Sequence, residues 1–140
     1  AAVIVCSKEY IDKHGLTPIA KITAYDSASL DPIDLFFTPI YAVRKVLKKL
    51  DQKDINYFDL IEANEAFSAQ ALADGKELGW DWDRVNVHGG AVALGHPIGA
   101  SGARVLVTLM NALKDRGKSK GIATLCLGGG SAVALSIEMV

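Results

Sequence analysis

Cysteine is almost missing from this chain. Among 140 residues there are two, Cys6 and Cys126, too few for a disulfide framework and wrongly spaced for a zinc site. No metal is expected. A dominant charge is missing too: 15 Lys and Arg face 16 Asp and Glu, a net −1, which removes the basic footprint of a nucleic-acid or membrane-surface binder. No apolar run approaches the roughly 20 residues of a membrane-spanning helix. Neither G-x-x-x-x-G-K-S/T nor G-x-G-x-x-G occurs, so the two common phosphate-binding loops are excluded. Repeats, linkers and low-complexity tracts are absent, and residues 1–140 read as one domain. Both cysteines sit in β-like runs, which points to a reducing, cytoplasmic setting.

What is present is a sequence half of whose residues are apolar, arranged in alternating strand and helix patterns. Residues 1–6, AAVIVC, read as a buried strand, and Ser7 as the N-cap of a short helix ended by Gly15. Residues 19–25 read as a second strand and 26–38 as a loop. Thr38-Pro39 opens an amphipathic helix with Ile40, Val43, Val46, Leu47 and Leu50 on one face. Residues 58–63 form a third strand, followed by a helix over 66–78 that stops at Gly79. A short extended piece, 85–87, leads into a glycine-rich loop. A helix then covers 101–116, and strands 122–127 and 132–139 form a closing hairpin. The expected fold is α/β, a five-stranded mixed sheet with helices on both faces in a βαβαβαββ-like order.

The chemistry concentrates in three places. His88 to Gly102, HGGAVALGHPIGASG, carries glycines at 89, 90, 95, 99 and 102 and no charged side chain. Within it, Pro97 restricts His96 to extended or turn conformations, so the imidazole is presented from a defined loop. His96 reads equally as an oxyanion donor and as a histidine tied to loop backbone. Cys126 ends a β-like run before Gly128-Gly129-Gly130, where it is either a proton-transfer thiol or a small buried hydrophobe. Asn64 lies at a strand-to-helix turn, as a helix cap or a holder of water or a substrate carbonyl; Glu65 reads as first-turn dipole chemistry. Cys6 reads as core.

NEAF at 64–67, GHP at 95–97 within GGAVALGHPIGASGAR, and CLGGG at 126–130 resemble, in order and spacing, the three C-terminal signature blocks of the thiolases. The resemblance spans the whole chain and implies one half of a duplicated five-stranded unit. It implies acyl transfer between coenzyme A thioesters: two acetyl-CoA giving acetoacetyl-CoA and CoA, or cleavage of a 3-ketoacyl-CoA by CoA, with no separate cofactor. By resemblance, His96 and a water on Asn64 form an oxyanion hole, Cys126 is general acid and base, and the Gly128 N–H serves a second oxyanion hole. Ala66 and Phe67 match acyl-pocket positions. The family's nucleophilic cysteine lies in an N-terminal half with no counterpart here. That half is the expected partner, and the chain alone is expected to be inactive. In the family the complete enzyme is a dimer or tetramer. A non-catalytic, thiolase-like scaffold is the alternative.

Overall fold

The strand and helix patterns condense around a single mixed sheet in the computed structural model, which describes residues 1–140. Four strands compose it: β1 (Ala20–Ser29), β2 (Leu60–Ala63), β3 (Lys120–Leu127) and β4 (Ser131–Met139), in spatial order β1-β4-β3-β2. β4 is antiparallel to both β1 and β3, and β2 runs parallel to β3. The helices are α1 (Lys8–His14), α2 (Thr38–Lys49), α3 (Ser68–Leu78), α4 (Ala91–Leu94) and α5 (Ser101–Asp115), with 3₁₀ turns at Pro32–Phe37, Ile55–Tyr57 and Trp82–Arg84.

The sheet has four strands, not five. The AAVIVC run forms no strand, and Ile4 stands 92% exposed. An apolar run becomes a strand only where it pairs along an edge and packs on a face, and residues 1–6 do neither. Cys6 is therefore half-buried outside the core. Residues 26–29, expected as loop, instead continue β1, because Asp26 to Ser29 find register partners in Ala134 to Ser131. Thr38 does not cap α2: Phe37 takes that position, and the Thr38 hydroxyl donates to the Leu35 carbonyl. Ser7 does cap α1, accepting from the Tyr10 N–H at 3.1 Å, and Gly15 closes that helix at φ 61°.

Alternation along the strands divides the core into two. On one face, Ile61, Ala63, Ile122, Ala132 and Ala134 meet Ala42, Val43 and Val46 of α2. On the other, Leu60, Ala123 and Ile137 meet Val105, Leu109, Ala112 and Leu113 of α5. Both helices place apolar residues at 3- and 4-residue spacings, so one stripe of each is buried, at about 1.5–3 kcal/mol per large side chain. On α2 the opposite stripe is basic, and Lys45 and Lys49 reach down to the Ser27 and Tyr25 carbonyls at 2.8 and 2.7 Å. Gly121 lets α5 lie close to β3: a Cβ there would stand 2.8 Å from Leu109.

Candidate active site

Parallel pairing of β2 with β3 assembles the site. Ala63 is registered with Thr124, and the next residue, Asn64, donates its N–H to the Thr124 carbonyl at 3.0 Å. Asn64 and, two residues beyond Thr124, Cys126 thus lie together at the carboxyl ends of adjacent parallel strands, where α/β sheets place ligand sites. The edge of β2 is completed from an unexpected quarter. Asn86, at φ 47°, accepts from the Ala63 N–H through Oδ1 and donates through Nδ2 to the Ala63 carbonyl, both at 2.8 Å. One carboxamide takes the role of a strand neighbour just before Asn64.

Asn64 is fully buried and caps no helix; α3 starts four residues later, at Ser68, after Phe67. Its Nδ2 lies 3.4 Å from His96 Nε2, and its Oδ1 accepts from Arg104 at 3.4 Å. His96 is exposed, on the short loop between α4 and α5, with Nδ1 at 2.6 Å from the fully buried Ser101 hydroxyl. Ser101 Oγ also stands 3.1 Å from the Pro97 carbonyl, so the ring is tied to the first turn of α5. Gly95, at φ 92°, supplies the turn that brings His96 there. Arg104 donates to Glu62 at 3.0 Å. Glu62 is 1% exposed, and burial pushes its carboxyl up to about 7 despite the neighbouring guanidinium. The chain Glu62, Arg104, Asn64, His96, Ser101 is continuous.

Glu65 does not serve the start of α3. Its carboxylate accepts from the Val92 N–H at 2.9 Å and from Asn86 at 3.0 Å, pinning the glycine loop to the end of β2. A Cβ at Gly90 would fall 2.3 Å from that carboxyl group, which is why the loop has glycine there.

Cys126 stands on the other side. Its Sγ lies 3.8 Å from Gln70 Oε1 on α3, and burial pushes the thiol up from its ordinary value, with the Asp74 charge adding to the rise. Gln70 in turn donates to Asp74 at 3.0 Å. Asp74 is 1% exposed, and burial pushes its carboxyl up to about 7. Gly128 lies exposed in the β3–β4 turn. Ala66 is half-buried, and Phe67 is 59% exposed with its ring edge-on to Phe36 at 4.9 Å. A hollow of about 400 Å³ between α2 and α3, lined by Phe37, Tyr41, Arg44 and Lys76 among others, holds none of these groups.

The motif blocks do not reach Gln70, Asp74 or Glu62, and Ser101 and Arg104 lie inside the run GGAVALGHPIGASGAR with no role read for them; the structure adds all five to the site. One signal for them exists: Gln70 and Asp74 are four apart, on the helical stripe that Ala71 shows to be buried.

Asn64 and Cys126 at the ends of neighbouring parallel strands, with His96 presented beside Asn64 from the loop before α5, bring an amide, a thiol and an imidazole to one end of an α/β sheet. Comparison with known proteins gives the family. Residues 16–139 match the family model described as Thiolase, C-terminal domain, and the chain belongs to the thiolases. The acetyl-CoA acetyltransferase of Syntrophomonas wolfei is 53% identical over 140 residues, and that of Escherichia coli 51% over 138; each alignment covers 99% of this chain and 35% of the relative. Among solved structures, the Bacillus anthracis acetyl-CoA acetyltransferase superposes with a TM-score of 0.91 at 50% identity, covering 96% of this chain and 34% of that one. The human mitochondrial 3-ketoacyl-CoA thiolase gives 0.91 at 38% identity, with the same coverage of each chain. The chain therefore spans about a third of the length of the relatives it matches.

Proposed function

We propose that this chain is the C-terminal catalytic part of a coenzyme A-dependent acyltransferase. It would join two acetyl-CoA to acetoacetyl-CoA and CoA, or cleave a 3-ketoacyl-CoA with CoA, with a second, N-terminal part supplying the nucleophilic cysteine. The observation that carries this reading is the convergence of Asn64 Nδ2 and His96 Nε2, 3.4 Å apart, at the end of the strand beside Cys126.

That spacing suits two N–H donors sharing one oxygen, directly or through a water on Asn64. The Ser101 hydroxyl donates to the Pro97 carbonyl and so accepts from His96 Nδ1; donation from His96 to a thioester oxygen calls for the other tautomer, with the proton moved to Nε2. In condensation the Cys126 thiolate takes the α-proton: an S–H bond forms, the C–H bond breaks, and the electron pair moves onto the oxygen held by His96. In cleavage the thiol returns that proton to the leaving carbanion. The Gly128 N–H would serve the second oxyanion hole, and Ala66 and Phe67 would line the acyl pocket. Coenzyme A thioesters are substrates in this scheme, and no further cofactor is required. No helix is long and apolar enough to cross a membrane. A cytoplasmic location, and a dimer or tetramer as in the family, belong to the same proposal and rest on the resemblance.

Joining this chain to the N-terminal part of the Syntrophomonas wolfei relative tests the reading. The chimera should consume acetoacetyl-CoA in the presence of CoA, Cys126→Ala should abolish that, and this chain alone should do nothing. Turnover by the lone chain, or a folded but inert chimera, would overturn it. A scaffold role has no use for the continuous Glu62-to-Ser101 network, so the catalytic reading is the one adopted.

A further inference from the structure

The surroundings of Cys126 contain a group that ordinary packing does not explain. α3 meets the sheet with Gln70 and Asp74, 4% and 1% exposed and one helical turn apart, where hydrocarbon would cost less. Gln70 Nε2 donates to Asp74 Oδ2 at 3.0 Å, Gln70 Oε1 faces Cys126 Sγ at 3.8 Å, and Asp74 Oδ1, equally buried, has no partner. A buried carboxyl with one oxygen left over destabilises a fold, so its presence calls for another reason.

Orientation provides one. An amide flips between two poses at little cost unless a neighbour distinguishes its ends. Asp74 Oδ2 accepts, so the Gln70 NH₂ turns toward it and the carbonyl oxygen turns toward the thiol. That oxygen can only accept, and the S–H is thereby aimed along α3. We propose that Gln70 and Asp74 are a positioning pair for Cys126: Asp74 sets the Gln70 amide, the amide oxygen takes the thiol hydrogen, and the Asp74 carboxyl opposes formation of the thiolate. As a statement about catalysis this rests on the role given to Cys126 above; as a statement about the thiol it does not.

The other charged groups nearby point elsewhere. Lys76 and Glu77 of α3 are exposed, and Glu77 is paired with Arg44 of α2 at 2.6 Å. Asp31 and Asp34, in and beside the 3₁₀ turn that packs on β3, are exposed as well. Glu62 and Arg104 bond each other. Asp74 is the charge that raises the thiol, and its own elevation means that the opposition sets in as the carboxyl ionises near neutrality.

The test uses the full chain with Cys6→Ser, so that Cys126 is the one thiol. Alkylation by iodoacetamide is followed by mass spectrometry from pH 6 to 10, and circular dichroism verifies the fold. Asp74→Asn, equal in shape and uncharged, should lower the midpoint of the pH–rate profile. At pH 8 it should react roughly threefold faster or more, the rise expected for a thiol lowered by about half a pH unit. Superimposable profiles would overturn the proposal. The Raman S–H stretch of the unsubstituted Cys126 provides a measurement that needs no variant at Asp74. A hydrogen-bonded band supports the geometry, and a band at the free-thiol position refutes it. Neither readout involves turnover, so failure here leaves the transfer reading standing, and failure of that reading leaves these results unaltered.

Discussion

Asp74→Asn should make this protein more stable, and by an amount that depends on pH. The carboxyl is 1% exposed, and burial moves it from the ordinary aspartate value of 3.8 up to about 7. Below the unfolded value both folded and unfolded chains hold the proton, and no penalty exists. Between the two values the unfolded chain releases its proton while the folded chain keeps it, so stability falls by about 1.4 kcal/mol per pH unit. Above the folded value the whole penalty is present, about 4 kcal/mol for a gap of this size. Asparagine keeps the shape and the acceptor for Gln70, and it cannot ionise. The difference between variant and parent should therefore be close to zero at pH 3 to 4 and reach several kcal/mol at pH 8. Urea denaturation followed by circular dichroism at pH 4, 6 and 8 measures it. Glu62, also raised to about 7 by burial, tilts both curves alike and cancels in the difference. A gain that does not change with pH would refute the reasoning, because it would trace to packing and not to the buried charge.

Three further outcomes follow from the same geometry. Arg104→Met leaves Glu62 buried with no cation, which should cost about 3–5 kcal/mol at pH 8; the loss should shrink at pH 5, where Glu62 is protonated, and thermal unfolding at the two pH values would measure it. Gly121→Ala places a methyl 2.8 Å from Leu109 and 2.9 Å from Leu113, and overpacking at that contact should cost about 1–3 kcal/mol by urea denaturation. Gly90→Ala should push the Glu65 carboxylate off the Val92 N–H, so that hydrogen exchange at the Val92 amide accelerates while amides of β3 and β4 keep their protection.

The elements most legible in the sequence are those whose signals are local. The α2 and α5 stripes, the Ser7 and Gly15 caps and the β3–β4 hairpin around Gly128 to Gly130 can each be read within a dozen residues. The three motif blocks are legible for the same reason, since each is a short run of neighbours, and their order along the chain points to the family. The failures share the opposite character. AAVIVC has the composition of a strand and pairs with none of the four. Asp26 to Ser29 have the composition of a loop and continue as strand, because β4 is long enough to pair with them.

By itself, then, the sequence determined the four longer helices, the hairpin and the thiolase membership, and it singled out Asn64, His96 and Cys126 as candidates, while the short helix at Ala91–Leu94 read as loop; period, turn chemistry and motif spacing are properties of neighbours along the chain. Only the tertiary structure decided the four-strand order and the β2–β3 register that sets Asn64 beside Thr124 and so near Cys126. It also decided that Asn86 stands in for a strand, that Glu65 holds the glycine loop and that Asp74 is sealed under α3. Burial and hydrogen-bond partners across tens of residues are set by which surfaces close on each other, and a carboxylate on a helix reads the same in sequence whether it meets water or a thiol.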